Sequence, residues 1–137
     1  MISLSLKSDA YKIIDAAIKS ALPDTAVKKA LQDLELPEGK LLLVSIGKAA
    51  WSMARAASDI LGDKIDDGVV ITKYGHSQGE LPNIRIYEAG HPVPDDNSFA
   101  ATEQAIQLVS NLTSKDLVLF LISGGGSALF EKPLVPK

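Results

Sequence analysis

The sequence predicts an α/β protein in which a mainly parallel β-sheet is flanked by helices in three layers. Short apolar runs alternate along the chain with segments whose apolar residues recur at helical spacing. Two of these runs, Leu41–Ile46 and Leu117–Ile122, are almost continuously apolar, as in strands covered on both faces. With 137 residues, of which 46% are hydrophobic, the chain has enough apolar material for one core.

Two helices are expected before the first strand. Ser8 or Asp9 is expected to cap the first helix and Pro23 to end it, after which Asp24 is expected to cap the second. The apolar residues at helical spacing are Ile13, Ile14, Ala17, Ile18 and Ala21 in the first helix and Val27, Ala30, Leu31 and Leu34 in the second.

The middle of the chain alternates strands with one long helix. Leu41–Ile46 is the first predicted strand, and helical spacing follows from Ala49 to Leu61, with Gly62 as a C-terminal stop. Val69–Tyr74 and Ile84–Glu88 are the next two predicted strands. The connection between these two strands is short enough to permit one antiparallel neighbour.

The last part of the chain contains one helix and the most apolar strand. Asp96 or Asn97 is expected to cap a helix over residues 98–111. Leu117–Ile122 follows, and its apolar composition predicts a central position in the sheet. Because no covering layer follows this strand, we interpret residues 1–137 as one domain and as an incomplete fragment of a larger two-domain protein.

Composition excludes several functional classes. The net charge is −3 and the pI is about 5.3, so the chain lacks the basic surface that nucleic-acid binding normally requires. The absence of Cys excludes disulfides, thiolate zinc sites and cysteine nucleophiles. Leu117–Ile122, the longest apolar run, is too short to span a membrane, and Met1–Asp9 carries no secretory leader. We therefore expect a cytoplasmic protein with no membrane or nucleic-acid partner.

Three loops with unusual content follow strands, and in parallel sheets such loops meet at the carboxyl ends of the strands, where ligands bind. In the first loop, Gly47 permits a tight exit from the strand and Lys48 begins the next helix, where free amides favour an anion. A phosphate or carboxylate ligand for Lys48 and an ordinary solvated lysine are equally consistent with the sequence. A P-loop is excluded, because it needs Gly at Leu42 and Ser or Thr at Ala49, and no dinucleotide fingerprint passes through Gly47.

The second loop runs from Gly90 to Ser98, and its two prolines stiffen the backbone that carries His91 and Asp95. His91 can bind a substrate by a hydrogen bond or act in proton transfer. Alternatively, it braces its own loop and the acidic residues serve only as a helix cap. His76 has weaker support as a site residue, and the spacing of the His and Asp residues supports no metal site.

The third loop, Ser123–Ser127, is called the glycine loop below and contains three consecutive glycines after a buried strand. Its backbone N–H groups and two hydroxyls predict an anion cradle, because three glycines in succession are costly in a plain turn. A flexible turn is the alternative. Either serine is a poor candidate nucleophile, since the G-x-S-x-G pattern is absent.

Four segments together resemble the N-terminal domain of the type 2 glycerate kinases, a family with a C-terminal MOFRL domain that is sometimes labelled hydroxypyruvate reductase. The resemblance covers almost the whole chain in the same order and spacing. Its motifs are Gly47–Ala50, Val70–His76, Glu88–Asp95 and Leu121–Leu129.

The resemblance implies a Rossmann-like first domain that faces a second domain across the active cleft. It implies transfer of a phosphoryl group from ATP, with a divalent cation such as Mg, to D-glycerate to give 2-phosphoglycerate. It identifies Lys48 with the family's active-site lysine. The other residues that it places at the substrate or phosphate are Gly47, His91, Asp95, Ser123, Gly124, Gly125, Gly126 and Ser127. The metal ligands remain unassigned.

Two other functions stay open. One is an oxidoreductase that acts on hydroxypyruvate with NAD(P)H, and the other is a non-catalytic anion-binding module. Since the resemblance puts the arginine for the transferring phosphoryl group in the C-terminal domain, we expect residues 1–137 alone to have little or no kinase activity. Apolar surface left without a covering layer would also favour a homo-oligomer.

Overall fold

The computed structural model describes residues 2–135, which form an α/β domain with helices against both faces of one sheet. The helices are α1 (Ile2–Ser20), α2 (Pro23–Leu31), α3 (Ala50–Leu61), α4 (Asp96–Leu108) and α5 (Gly126–Leu129), and the strands are β1 (Leu41–Ile46), β2 (Asp67–Lys73), β3 (Ile84–Ala89) and β4 (Leu117–Ile122). The predicted fold class and three-layer arrangement are confirmed.

The four described strands lie in the order β3-β2-β1-β4, and all their pairings are parallel. The antiparallel neighbour that the short β2–β3 connection seemed to permit does not form. Residues 74–83 explain why, because ten extended residues reach about 33 Å. That distance exceeds the roughly 20 Å length of a six-residue strand. The chain can therefore return to the level at which β2 began and start β3 parallel to it without a helix.

Each face of the sheet has its own core, because side chains alternate between faces along a strand. Leu41 and Leu43 of β1 point toward α2 and α3, where they meet the predicted apolar face of α2. Val44 and Ile46 point to the other face, which α4 and α5 cover. The two cores hold the carboxyl ends of β1 and β2 in a fixed position.

The structure corrects the predicted position of β4, which lies at an edge of the described sheet and pairs with β1. Phe120 is 49% exposed and Ile122 is 69% exposed. Apolar content indicates that a strand can be covered, but the order of strands depends on how the connections cross the sheet. β1 and β2 are the two interior strands of the described sheet, and all six residues of β1 are buried.

The predicted caps of three helices, α1, α2 and α4, are wrong. α1 begins at Ile2, so Ser8 and Asp9 lie within the helix. Pro23 occupies the first turn of α2, and Asp24 therefore follows the cap position without making a capping hydrogen bond. A carboxylate in this first turn still interacts favourably with the helix dipole.

Asp95 caps α4, in place of the predicted Asp96 or Asn97. The Asp95 carboxylate accepts the Ser98 backbone N–H, and the Ser98 hydroxyl accepts the Asp95 backbone N–H, which together form a capping box. The helix ends at Leu108, three residues before the predicted end.

α1 packs against α2 and presents its predicted apolar residues from Ile13 onward to solvent, with Ile13 70% exposed. Its periodicity therefore predicts the helix correctly, but nothing in the described chain covers that face. No helix within residues 2–135 combines the length and hydropathy needed to cross a membrane.

Candidate functional site

The loops that follow β1 and β4 begin side by side at the carboxyl edge of the sheet. The parallel register pairs Ile46 with Ile122, so the next residues of both strands are also adjacent. Ser123 donates its backbone N–H to the Ile46 carbonyl at 2.9 Å, and Lys48 donates its own to the Gly124 carbonyl at 3.0 Å. Direct backbone hydrogen bonds therefore connect the lysine to the glycine loop.

Gly47 makes this close approach of the two loops possible. Its φ is +119°, and a β-carbon at this position would stand 2.7 Å from the Ser123 carbonyl oxygen. The Gly47 N–H is donated to the Ile71 carbonyl at 3.1 Å. The absence of a side chain at Gly47 thus allows the two loops to pack together. Because the Gly47 amide already donates to β2, it is not free to bind a ligand.

The Ser123 hydroxyl is also engaged inside the fold. It accepts the backbone N–H of Ala49 at 3.0 Å and lies 3.4 Å from the Ile46 carbonyl, to which it donates. Ala49 immediately precedes α3, so this contact satisfies one of the free amides at the start of that helix. A ligand that recruited the hydroxyl would have to compete with these bonds.

Two side chains from the end of β2 hold the backbone around Lys48. The Thr72 hydroxyl donates to the Gly47 carbonyl at 2.9 Å, and its oxygen lies 3.4 Å from the Lys48 carbonyl. The His76 ring nitrogen Nδ1 lies 2.9 Å from the same Lys48 carbonyl. The Lys48 backbone is therefore fixed while its side chain is exposed to solvent.

His91, Lys48 and Gly125 converge on one point. Gly125 has a φ of +86°, and a β-carbon there would stand 2.7 Å from His91 Nε2 and 3.2 Å from Lys48 Cε. Three loops that are distant in sequence thus meet, as the strand-end argument predicts. Only a residue without a side chain leaves room for both basic groups at this position.

The charges around His91 are mainly positive. Burial lowers the pKa of His91, and the charges of Lys48, Lys73 and His76 lower it further. The imidazole is therefore biased toward its neutral form in a cluster of basic groups. Such a cluster attracts an anion, and a neutral imidazole within it can accept a proton.

Asp95 lies beside this cluster, but its carboxylate is occupied. Oδ2 accepts the Tyr74 hydroxyl at 2.7 Å, and Oδ1 accepts the Ser98 N–H and hydroxyl, each at 3.1 Å. The Tyr74 hydrogen bond and those from Gly90 and Ser98 lower the pKa of Asp95 to about 2, although burial acts in the opposite direction. The same Tyr74–Asp95 bond raises the pKa of the tyrosine.

The remaining glycine-loop residues differ in their surroundings. A β-carbon at Gly124 would meet open space, whereas Gly126 begins α5 and lies against Ile46 and Ile122. The exposed Ser127 lines a shallow cavity of about 300 Å³ whose other walls are mostly apolar. The cavity is lined by Ile46, Ile122, Ser123, Gly126, Ser127 and Phe130.

Comparison with known proteins identifies the family. The family described as "Domain of unknown function (DUF4147)" matches residues 9–136, which is nearly the whole chain. The chain belongs to this family. The domain is the N-terminal part of type 2 glycerate kinases, which confirms the resemblance found in the sequence motifs.

The relatives of this DUF4147 chain include glycerate kinases. A D-glycerate 2-kinase of Thermotoga maritima is 53% identical over 130 residues, which cover 95% of this chain and 31% of the relative. A crystal structure of glycerate kinase from the same organism has a TM-score of 0.87 at 52% identity, over 95% of this chain and 31% of that one. A protein of Agrobacterium vitis named putative hydroxypyruvate reductase is 43% identical, over 89% of this chain and 27% of the relative. The chain thus spans about a third of these relatives.

Residues 2–135 contain no group of three or more His, Asp or Glu side chains arranged to hold a metal ion. The Asp95 carboxylate lies beside the basic cluster, and its two oxygens already accept hydrogen bonds from Tyr74 and Ser98. The described residues therefore do not fit a dedicated magnesium site.

Thr72 and Tyr74 are site residues that the sequence reasoning missed. Both lie at or just beyond the carboxyl end of β2. The rule that identified Lys48 and the glycine loop, that loops following parallel strands share one edge, applies equally to them. Their polar side chains were the available signal.

Proposed function

We propose that this DUF4147 domain supplies the anion-binding half of a glycerate 2-kinase, which transfers the γ-phosphoryl group of ATP to D-glycerate and gives 2-phosphoglycerate. The convergence of Lys48 and His91 on Gly125 carries the proposal, since it places an ammonium and a neutral imidazole together at the carboxyl ends of the strands in a protein with a net charge of −3. The family and the glycerate kinase relatives support it.

The proposed roles follow from what phosphoryl transfer needs. Catalysis of this reaction depends mainly on positioning and on stabilising charge on the transferring group. The Lys48 ammonium binds either that group or the glycerate carboxylate, and the amides of Gly125 and Gly126 serve the other anion. His91, whose lowered pKa favours the neutral form, accepts the proton of the attacking hydroxyl at Nε2 while that oxygen bonds to the γ-phosphorus and the bond from the phosphorus to the departing ADP oxygen breaks.

The described residues can bind the phosphates of ATP, but they do not provide ligands for a divalent cation. The basic cluster suits the phosphates of a nucleotide, which would bring the cation as a phosphate complex. Because the described residues do not fit a magnesium site, none of the residue roles above depends on contact with the ion. The arginine of the C-terminal domain implied by the resemblance would complete the site.

The proposal is tested by titrating the chain separately with ATP and with D-glycerate in a calorimeter. Replacing Lys48 with Ala removes the charge nearest to Gly125, so the affinity for at least one ligand should fall about tenfold or more. Lys64→Ala is the matched control, because Lys64 precedes β2 and therefore lies at the opposite edge of the sheet. Unchanged affinity for both ligands in Lys48→Ala would exclude the lysine from the site.

We further propose that residues 1–137 alone have little or no kinase activity. The chain spans 31% of the Thermotoga maritima kinase, and phosphoryl transfer needs groups on both sides of the transferring phosphoryl. A coupled assay with ATP and D-glycerate measures this directly. Turnover close to that of a full-length relative would refute it.

The oxidoreductase alternative has weaker support. A relative carries the name putative hydroxypyruvate reductase, but no dinucleotide fingerprint passes through Gly47. Tight NADH binding, measured by fluorescence, would favour this alternative. Binding of phosphate but of neither ATP nor glycerate would instead favour a non-catalytic anion-binding module.

A further inference from the structure

Tyr74 occupies an unusual position at the margin of the site. It is 47% exposed, yet its hydroxyl makes two side-chain hydrogen bonds. The hydroxyl donates to Asp95 Oδ2 at 2.7 Å and accepts from Asn97 Nδ2 at 2.7 Å. These two bonds therefore fix the position of the ring, although about half of its surface is exposed to solvent.

Asp95 transmits this restraint to the loop that carries His91. Its carboxylate accepts hydrogen bonds from Tyr74 and from both polar groups of Ser98. These three donors occupy most of the roughly four acceptor positions of a carboxylate. Asp95 thereby connects the start of α4 to the residue that follows β2, and its carboxylate lies against Gly90, the first residue of the loop.

His91 lies within the loop that these bonds close. Its Nε2 stands 2.7 Å from the position of a β-carbon on Gly125, in the same space that Lys48 Cε approaches. The placement of the imidazole relative to the lysine therefore depends on how residues 90–95 are held. Gly90 is buried, so the loop is anchored at its first residue as well.

We propose that Tyr74 is a positioning residue for the anion site, whose hydroxyl acts through Asp95 to hold His91 against the glycine loop. This inference rests on the proposed function in one respect, that the ligand of the site is a phosphate or carboxylate. It also assigns Asp95 to the support of His91, because a substrate or metal ion would have to compete with the three donors that the carboxylate already has.

The test compares Tyr74→Phe with Tyr11→Phe in the 137-residue chain. Both variants lose one hydroxyl from an exposed tyrosine, but Tyr11 lies in α1, away from the site. Inorganic phosphate is the probe, and NMR of the His91 Cε1–H reports the position of the imidazole without any ligand. Tyr74→Phe should bind phosphate about five-fold more weakly, which is the value of one hydrogen bond. Its His91 signal should move, whereas Tyr11→Phe should match wild type in both.

The possible outcomes separate the two proposals. If wild type binds phosphate and Tyr74→Phe binds it equally well with an unshifted His91 signal, the positioning role is wrong and the anion site stands. If wild type does not bind phosphate, the anion site fails, and the His91 signal alone decides whether Tyr74 positions the ring. Asn97→Ala removes the second partner of the Tyr74 hydroxyl and should shift the His91 signal in the same direction, by less.

Discussion

The Ser123 hydroxyl accepts the backbone N–H of Ala49 at 3.0 Å, across 74 positions of sequence. Ala49 occupies the cap position of α3 and has no side chain that can accept a hydrogen bond, so a residue just beyond β4 bonds the first free amide of the helix instead. The contact ties the lysine loop to the glycine loop through a side chain as well as through the backbone.

Replacing Ser123 with Ala should lower the free energy of unfolding by about 1–2 kcal/mol, since the start of α3 loses its acceptor. Urea denaturation followed by circular dichroism measures this. Ser127→Ala is the matched control, because Ser127 is exposed in the same loop, and it should have little effect. Equal losses in the two variants would show that the Ser123–Ala49 bond contributes nothing.

Gly125→Ala should impair both stability and phosphate binding. The added β-carbon would meet His91 Nε2 at 2.7 Å, and the φ of +86° alone disfavours a side chain by roughly 1–2 kcal/mol. Gly124→Ala adds the same carbon into open space one position earlier and should change the stability by less than about 0.5 kcal/mol. Denaturation and phosphate titration of both variants test this prediction, and full binding by Gly125→Ala would contradict the convergence at Gly125.

The lowered pKa of Asp95 predicts how stability changes in acid. Its pKa falls from 3.8 to about 2 in the folded chain, so the unfolded chain binds the proton more readily. The resulting stabilisation is complete above about pH 5 and is lost as the pH falls toward 2. The free energy of unfolding should therefore fall less steeply over this interval in Asp95→Asn, in which an amide can still cap α4.

Asp116 provides a second variant for this pH experiment. Hydrogen bonds from the Thr113 and Lys40 amides lower the pKa of Asp116 despite some burial, so it also loses stabilising interactions in acid. The double variant Asp95→Asn/Asp116→Asn should have a flatter profile than either single variant. A wild-type slope in Asp95→Asn would show that the Tyr74 bond does not hold the carboxylate in solution.

The exposed edge of β4 predicts self-association. Phe120 is 49% exposed on an all-apolar strand at the edge of the described sheet, and such edges tend to pair with other chains. Burying one Phe contributes about 1.5–3 kcal/mol, so Phe120→Lys should weaken association by about tenfold or more. Light scattering over a concentration series measures this, with Leu36→Lys as a control outside the strand. A wild-type chain that stays monomeric at all concentrations would contradict the prediction.

The convergence of Lys48, His91 and Gly125 was predictable because it needs only the direction of the strands. In a parallel sheet the loops after the strands share one edge, and the content of each loop is visible in the sequence. The bounds of β1 were predictable for a different reason, since its apolar run ends abruptly at Gly47.

Contacts between distant residues were not predictable. Tyr74 and Asp95 are 21 positions apart, and no periodic pattern relates them. The edge position of β4 was missed because hydropathy indicates only whether the two faces of a strand are buried. Which strands lie beside β4 depends on the path of the connections between strands. The cap of α4 was misplaced by one residue for a local reason, as three polar residues in succession can each take that position.

The loops of the candidate site that lie within residues 2–135 are held together by hydrogen bonds within the chain. Thr72 and His76 hold the lysine backbone, Ser123 joins two loops, and Asp95 holds a third. A ligand of the proposed anion site would meet polar groups whose supporting backbone is already in place, so its binding should involve little loss of conformational entropy. Recognition should consequently be rigid, favouring ligands that match a fixed spacing of charges over ligands that would need the loops to adapt.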